Sequence, residues 1–118
     1  MSKMNKVVKN KWVAALNSGN YKQGAGKLKY GNQSGTFHCC LGVLSELAVK
    51  EGVVSKKEAF SKDAAFPCEQ VCDWAELTDE DPYLKSLSDG LGDISCSMAN
   101  DKRNKSFKEI AAAIKTDL

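Results

Sequence analysis

Residues 21–51 join two stretches of opposite character with no linker between them, and neither can fold without the other. Residues 21–38 are polar and lysine-bearing, and Gly24, Gly26, Gly31 and Gly35 interrupt them. Such a stretch forms only short extended pieces joined by tight turns. Strands are predicted at 20–23, 27–30 and 36–38, in two hairpins, with Asn32, Gln33 and Ser34 supplying turn chemistry. Period-two alternation in 27–30 places Leu28 and Tyr30 on one face and Lys27 and Lys29 on the other. Three such strands make too small a sheet to stand alone and must lean on a helix.

That helix begins at once. Cys40, Val43, Leu44, Leu47 and Ala48 recur on one wide apolar stripe, the pattern of a buried helix, and Gly52 ends it. Gly42 inside this pattern costs about 1 kcal/mol relative to alanine. A glycine kept there points to close approach of another backbone, that of the ribbon.

The remaining chain supplies further short helices. Met4, Val8, Trp12, Ala15 and Leu16 form one stripe over 4–18, stopped by Gly19. Ser55 and Glu58 have the spacing of a capping box, as do Ser106 and Glu109, which open a last helix striped by Phe107, Ile110, Ala111, Ile114 and Leu118. Pro67 suits the first turn of a helix reaching Leu77, with Val71, Trp74 and Cys68 facing inward. Residues 94–99 form a helical turn ending at Asn100–Asp101. Residues 78–93, acidic and rich in turn formers, are expected to form a mobile surface loop. The expectation is one α+β domain over 1–118, a three-stranded antiparallel ribbon packed against four or five short helices. Its expected core is Trp12, Leu41, Val43, Leu44, Leu47, Val71, Trp74, Phe107, Ile110 and Ile114.

Charge narrows the function classes. The net charge is only +2, but residues 1–45 carry seven lysines and no acid. Residues 69–93 carry eight acids against Lys85 alone, and from Lys102 onward the chain is basic again. Two readings follow: a positive face for an anionic partner with a negative face for another, or acidic and basic segments packed on each other. No apolar run approaches the roughly 20 residues of a membrane span, and residues 1–10 lack the apolar block of a secretory signal. With five cysteines, an odd number, this points to free thiols in a reducing cytosol. Nonspecific DNA binding is disfavoured, since the acidic segment would repel a duplex.

The ribbon is the best candidate site. Lys22, Lys27 and Lys29 offer phosphate contacts, Tyr21 and Tyr30 can stack on a base, and Gln23 and His38 add hydrogen-bonding groups. The competing reading is a hairpin whose lysines keep a sheet edge from aggregating. Zinc would need Cys39, Cys40, Cys68, Cys72 and His38 to converge, without a recognised ligand spacing, so no metal or cofactor is expected. Cys40 at a helix start with His38 two residues earlier suggests a nucleophile and base, with no orienting carboxylate or oxyanion donor to complete them. Asn100–Asp101 reads as capping and turn chemistry. Glu76, Asp79, Glu80 and Asp81 lack a spacing that enforces a catalytic pair.

Five blocks in order then resemble a widespread group of short tailed-bacteriophage proteins. They are Trp12, Ala15, Leu16, Ser18, Gly19, Tyr21, Gln23 and Gly24; Leu28 with Gly35 and the run Cys39–Cys40–Leu41–Gly42–Val43–Leu44; Phe66, Pro67, Glu69, Val71, Trp74 and Leu77; Asn100–Asp101; and Ser106, Phe107, Glu109, Ile110 and Ala111. The chain departs from the group at His38, often aromatic there, at Ser45, often a third cysteine, and in a lysine-rich insertion after Asp101. The resemblance implies a phage accessory protein in the cytoplasm of the infected bacterium and brings no activity with it. Joined to the charge pattern, it leads to the expectation of a non-enzymatic protein that counters host defence by sequestering a nucleotide signal, in a possible homo-oligomer. The alternatives are a direct inhibitor of a host or defence enzyme, using the acidic 69–93 surface, and a thiol-dependent enzyme acting through Cys40 and His38.

Overall fold

A computed structural model describes residues 3–61, 64–87 and 92–118. Its helices are α1 (Lys6–Asn17), α2 (Cys40–Lys50), α3 (Lys56–Ala59), α4 (Glu69–Ala75), α5 (Cys96–Asp101) and α6 (Phe107–Asp117). Its strands are β1 (Lys22–Gln23), β2 (Lys29–Asn32) and β3 (Gly35–His38). The fold is α+β, with a radius of gyration of 13.1 Å, that of one packed body of this length.

Local chemistry starts the helices where the sequence indicates. The Asn5 side chain accepts from the Val8 amide at 3.0 Å and so caps α1. Ser55 caps α3 and Ser106 caps α6; the reciprocal Ser106–Glu109 box is complete. The backbone N–H of Ser106 donates to Glu109, and this, with the Ser106 side chain, holds the Glu109 carboxyl below its ordinary value. At the far end of α4, Glu76 takes a left-handed conformation, φ 57°, and closes the helix without a glycine.

Helix α2 is the hub. Residues 40–45 are all buried, and α1, α3, α4, α5 and β3 pack around it. Trp12, fully buried, donates its indole N–H to the Cys40 carbonyl at 2.9 Å. Helix α6 lies against α1 with Ile110, Ala111 and Ile114 at zero exposure.

The ribbon presses on α2 through Gly42. A methyl group there would overlap the Leu28 carbonyl oxygen and lie 2.7 Å from its carbonyl carbon. Leu28 itself is buried, its N–H bonded to the Ala64 carbonyl at 2.9 Å and its carbonyl accepting from Cys39 at 3.2 Å. The expected close approach of ribbon and helix is therefore present.

Three expectations need correction. The ribbon is mixed, in the order β1-β3-β2: β2 and β3 form the expected antiparallel hairpin, but β1 runs parallel to β3, Lys22 opposite Phe37 and Gln23 opposite His38. Residues 24–28 run past the end of β3, from one edge strand to the other, and bring Leu28 against Gly42, so no first hairpin forms. Residues 78–87 are anchored, because Leu84 is fully buried and bonds Ile94 across the chain, while Cys96 donates to the Pro82 carbonyl at 2.9 Å. The part of the expected loop at 88–91 lies outside the described residues. Trp74 and Leu47 are half-buried at the margin of the core, not inside it.

Unfolding in urea measures these placements. Trp12→Ala is expected to cost about 3–5 kcal/mol and Trp74→Ala clearly less. Gly42→Ala, favourable in an ordinary helix, should destabilise at least as much as Trp12→Ala. A Gly42→Ala protein as stable as wild type would show that Leu28 does not sit against α2.

Candidate functional site

Strand register separates the candidate residues within the strands onto two faces of the sheet. Lys29 pairs with His38, and Tyr30 with Phe37. Lys29, His38 and Tyr21 lie on the α2 side. Lys22, Tyr30 and Phe37 lie on the outer side. The expected sharing of one face by Leu28 and Tyr30, with Lys29 opposite, is thus corrected: Leu28 precedes the strand, and Lys29 turns toward α2 while Tyr30 faces outward.

On the α2 side the cationic groups are already neutralised. Lys29 Nζ is 3.3 Å and His38 Nε2 2.8 Å from Glu46 Oε2. Burial alone would raise the Glu46 carboxyl, but hydrogen bonds and charge from His38 and Lys29 carry it below its ordinary value. The carboxylate accepts from His38 Nε2–H, which leaves the buried Nδ1 of His38 without a partner. The Tyr21 ring stands edge-on to His38 at 5.2 Å, and its hydroxyl accepts from Lys50 at 3.0 Å, which raises the lysine's pKa. Lys29 also lies 4.9 Å over the Phe60 ring. This is a structural ion cluster that seats the ribbon on α2.

A cleft of 340 Å³ is lined by Gln23, Gly24, Ala25, Tyr30, Asn100, Asn104 and Lys105; Tyr30 reaches it from the outer face and Gln23, opposite His38 in register, from the β1 edge. Tyr30 stacks on Phe37 at 5.3 Å and 15°, and lies across Gly24, where a methyl group would be 2.7 Å from the ring. Gly24 is thus required for space. Lys22, on β1, reaches across to the β2–β3 hairpin, donating to the Ser34 carbonyl at 2.7 Å and lying 5.8 Å over Phe37. Lys27 is exposed in the crossing segment, with an interaction partner of its own.

Asn100 builds the cleft floor, a role that sequence reading missed. It is 5% exposed. Its Nδ2 donates to the Gly24 carbonyl at 2.6 Å and to Asp101 at 2.8 Å, and its Oδ1 accepts from the Cys40 amide at 3.3 Å. Gln23 Nε2 donates to Asn100 Oδ1 at 2.9 Å and to the Lys105 carbonyl at 2.7 Å. One side chain therefore ties the ribbon, the start of α2 and the α5–α6 turn together. The stretch from Lys102 to Lys105 is the lysine-rich insertion, and of its basic residues Lys105 lines the cleft beside the ribbon's Gln23 and Tyr30. The Asn100–Asp101 block of the phage resemblance was the available signal.

Cys39 and Cys40 are not activated thiols. Cys40 is fully buried beside Cys96, and the hydrogen bond with Cys96 together with burial pushes its pKa well above the ordinary value. Burial, then the neighbouring Cys40, pushes Cys39 up to about 12. His38 does meet an orienting carboxylate, Glu46, but the fully buried Cys40 Sγ donates to the Cys96 carbonyl at 3.5 Å and has no hydrogen bond to His38, so the nucleophile–base pair expected from spacing is not formed. Cys68 starts α4 and Cys72 follows on it, a different element from Cys39 and Cys40. All five cysteines are free, and among the described residues no three His, Cys, Asp or Glu side chains are grouped to hold a metal ion.

A second cleft of 450 Å³ lies between the 76–85 segment and α6, lined among others by Lys3, Glu76, Asp79, Tyr83, Lys85 and Asp117. Although larger, it has mixed charge and its acids are in use. Glu76 accepts from Asn5 at 2.8 Å, Asp79 from the Asp81 amide at 2.9 Å, and Asp117 from the Ser86 amide at 2.8 Å. Asp81 accepts from the backbone and hydroxyl of Ser97.

Because the folded pKa of Glu46 is depressed, its contribution to stability is complete above the unfolded value near 4.5 and is lost as pH falls through the lower folded one. Urea unfolding from pH 6 to pH 3 should show a loss of stability below about pH 4.5 that Glu46→Gln reduces. An unchanged slope in the variant would remove Glu46 as an acid-sensitive tie between ribbon and helix.

No helix among the described residues is long and apolar enough to cross a membrane. Neither a curated protein nor a solved structure matches the chain. Residues 4–118 match the family described as domain of unknown function DUF8296, and the chain belongs to that family.

Proposed function

We propose that this protein binds and sequesters a phosphorylated nucleotide in the cleft between the ribbon and the α5–α6 turn. In this reading it is a phage accessory protein that counters host defence inside the infected bacterium. The observation that carries the ligand class is the meeting of Tyr30, the Gln23–Asn100 amide pair and Lys105 around one open cleft. An aromatic ring, fixed amides and a lysine are the groups that hold a base, its polar edge and a phosphate. The volume of 340 Å³ is near the lower end, about 300 Å³, of small-ligand sites. Lys105 is only weakly held, 4.0 Å from Glu109, so its charge is available to an anion. The phage setting rests on the five sequence blocks, not on the cleft.

A second reading, a direct inhibitor of a host enzyme, draws on the acidic segment. There Tyr83, 54% exposed, stands beside Glu76 and Asp79 at the second cleft. An exposed aromatic among acids suits a basic protein surface. It ranks lower because those acids already have intramolecular partners.

Calorimetric titration with cyclic di- and trinucleotides, ADP and ADP-ribose, at two salt concentrations, tests the first reading. At least one should bind below millimolar. Tyr30→Ala should weaken it by about 1–3 kcal/mol, and Lys105→Ala should weaken it and flatten the salt dependence. Lys29→Ala, on the other side of the sheet, should lower stability and leave affinity unchanged. If nothing binds, or Tyr30→Ala binds as wild type does, the inhibitor reading takes first place.

A further inference from the structure

We infer that Gln23 determines specificity in this cleft, presenting a fixed acceptor to a base edge that donates a hydrogen bond, such as an adenine-type amino group. The inference rests on the nucleotide reading above and narrows its ligand.

The orientation of both amides follows from backbone groups that have only one role each. The Gly24 carbonyl can only accept and the Cys40 N–H can only donate, so Asn100 must turn Nδ2 to the first and Oδ1 to the second. The Lys105 carbonyl can only accept, so Gln23 must turn Nε2 toward it, and Nε2 also meets Asn100 Oδ1. Neither amide can flip without breaking a bond to backbone.

The capacity that remains is then defined. Asn100 makes two donations and two acceptances and has none left. Gln23 has given both N–H groups, which leaves its Oε1, an acceptor. The neighbouring backbone is occupied too: Gly24 N–H donates to the His38 carbonyl at 2.8 Å, and Lys105 N–H to the Ala99 carbonyl at 2.9 Å. Asn104, at φ 53°, is exposed and is not fixed by such a network. The one amide group held in a single orientation and open to a ligand is therefore an acceptor. A base edge offering only acceptors would face it unfavourably, with lone pair against lone pair.

The matched probes are ADP and purine riboside 5′-diphosphate, which differ by the amino group alone. Calorimetry on the full chain should give ADP about tenfold tighter binding, the upper end of what one hydrogen bond adds net. Gln23→Met, which keeps the side-chain length, should bring the two within about twofold, with folding checked by thermal melting. Equal binding of the two by wild type, or a preference that survives in Gln23→Met, overturns the inference and leaves the cleft reading standing. Binding of another nucleotide of the panel without ADP has the same consequence. Failure of every nucleotide to bind overturns both.

Discussion

The approach of the Leu28 backbone to Gly42 is the constraint on which the rest of the structure depends. A two-to-four-residue strand has too few hydrogen bonds to persist unsupported. Here the chain leaving β1 dives to α2, rests its peptide on the one turn without a side chain, and climbs back as β2. The helix accepts the intrinsic cost of glycine because it gains a contact between two backbones. The detour also explains why β1 and β3 are parallel: the crossing at 24–28 replaces a hairpin turn, so β1 joins the far edge of β3.

Two polar assemblies then hold the ribbon. Under it, Glu46 gathers Lys29 and His38 at the edge of the core. Beyond its edge, Asn100 bonds to Gly24, Gln23 and the first amide of α2. Each is a buried or half-buried network of several hydrogen bonds, which makes it specific about geometry, although the buried Nδ1 of His38 has no partner. The consequence for function is a division of labour among the lysines. Lys29 is structural, and the cation available to a ligand comes from the α5–α6 turn.

Much of this was legible in the sequence because it is local. The helix caps at Ser55 and Ser106, the stripe of Val8, Trp12 and Leu16, and the glycine at 42 each announce a contact within a few residues or a demand on space. The pairing of β1 was not legible, since Lys22 meets Phe37 through a sheet that only the tertiary fold defines. The facing of Lys29 was misread because period-two alternation was carried back to Leu28, which lies before the strand. Leu84 was missed because it is a lone apolar residue among turn formers, buried through a bridge to Ile94. Asn100 was misread because an asparagine beside an aspartate is equally good as turn chemistry, and nothing nearby in sequence shows that Gln23, 77 positions away, needs it. The cleft was half visible for the same reason: Tyr30 and Gln23 were chosen, and Lys105 was not.

The most direct test of the account is amide chemical-shift mapping during titration with the nucleotide that binds best. The account requires shifts concentrated at Gln23, Gly24, Ala25, Tyr30, Asn104 and Lys105, with the side-chain amides of Gln23 and Asn100 among them. Shifts concentrated instead at residues 76–85, or around Glu46 and Lys29, would contradict it.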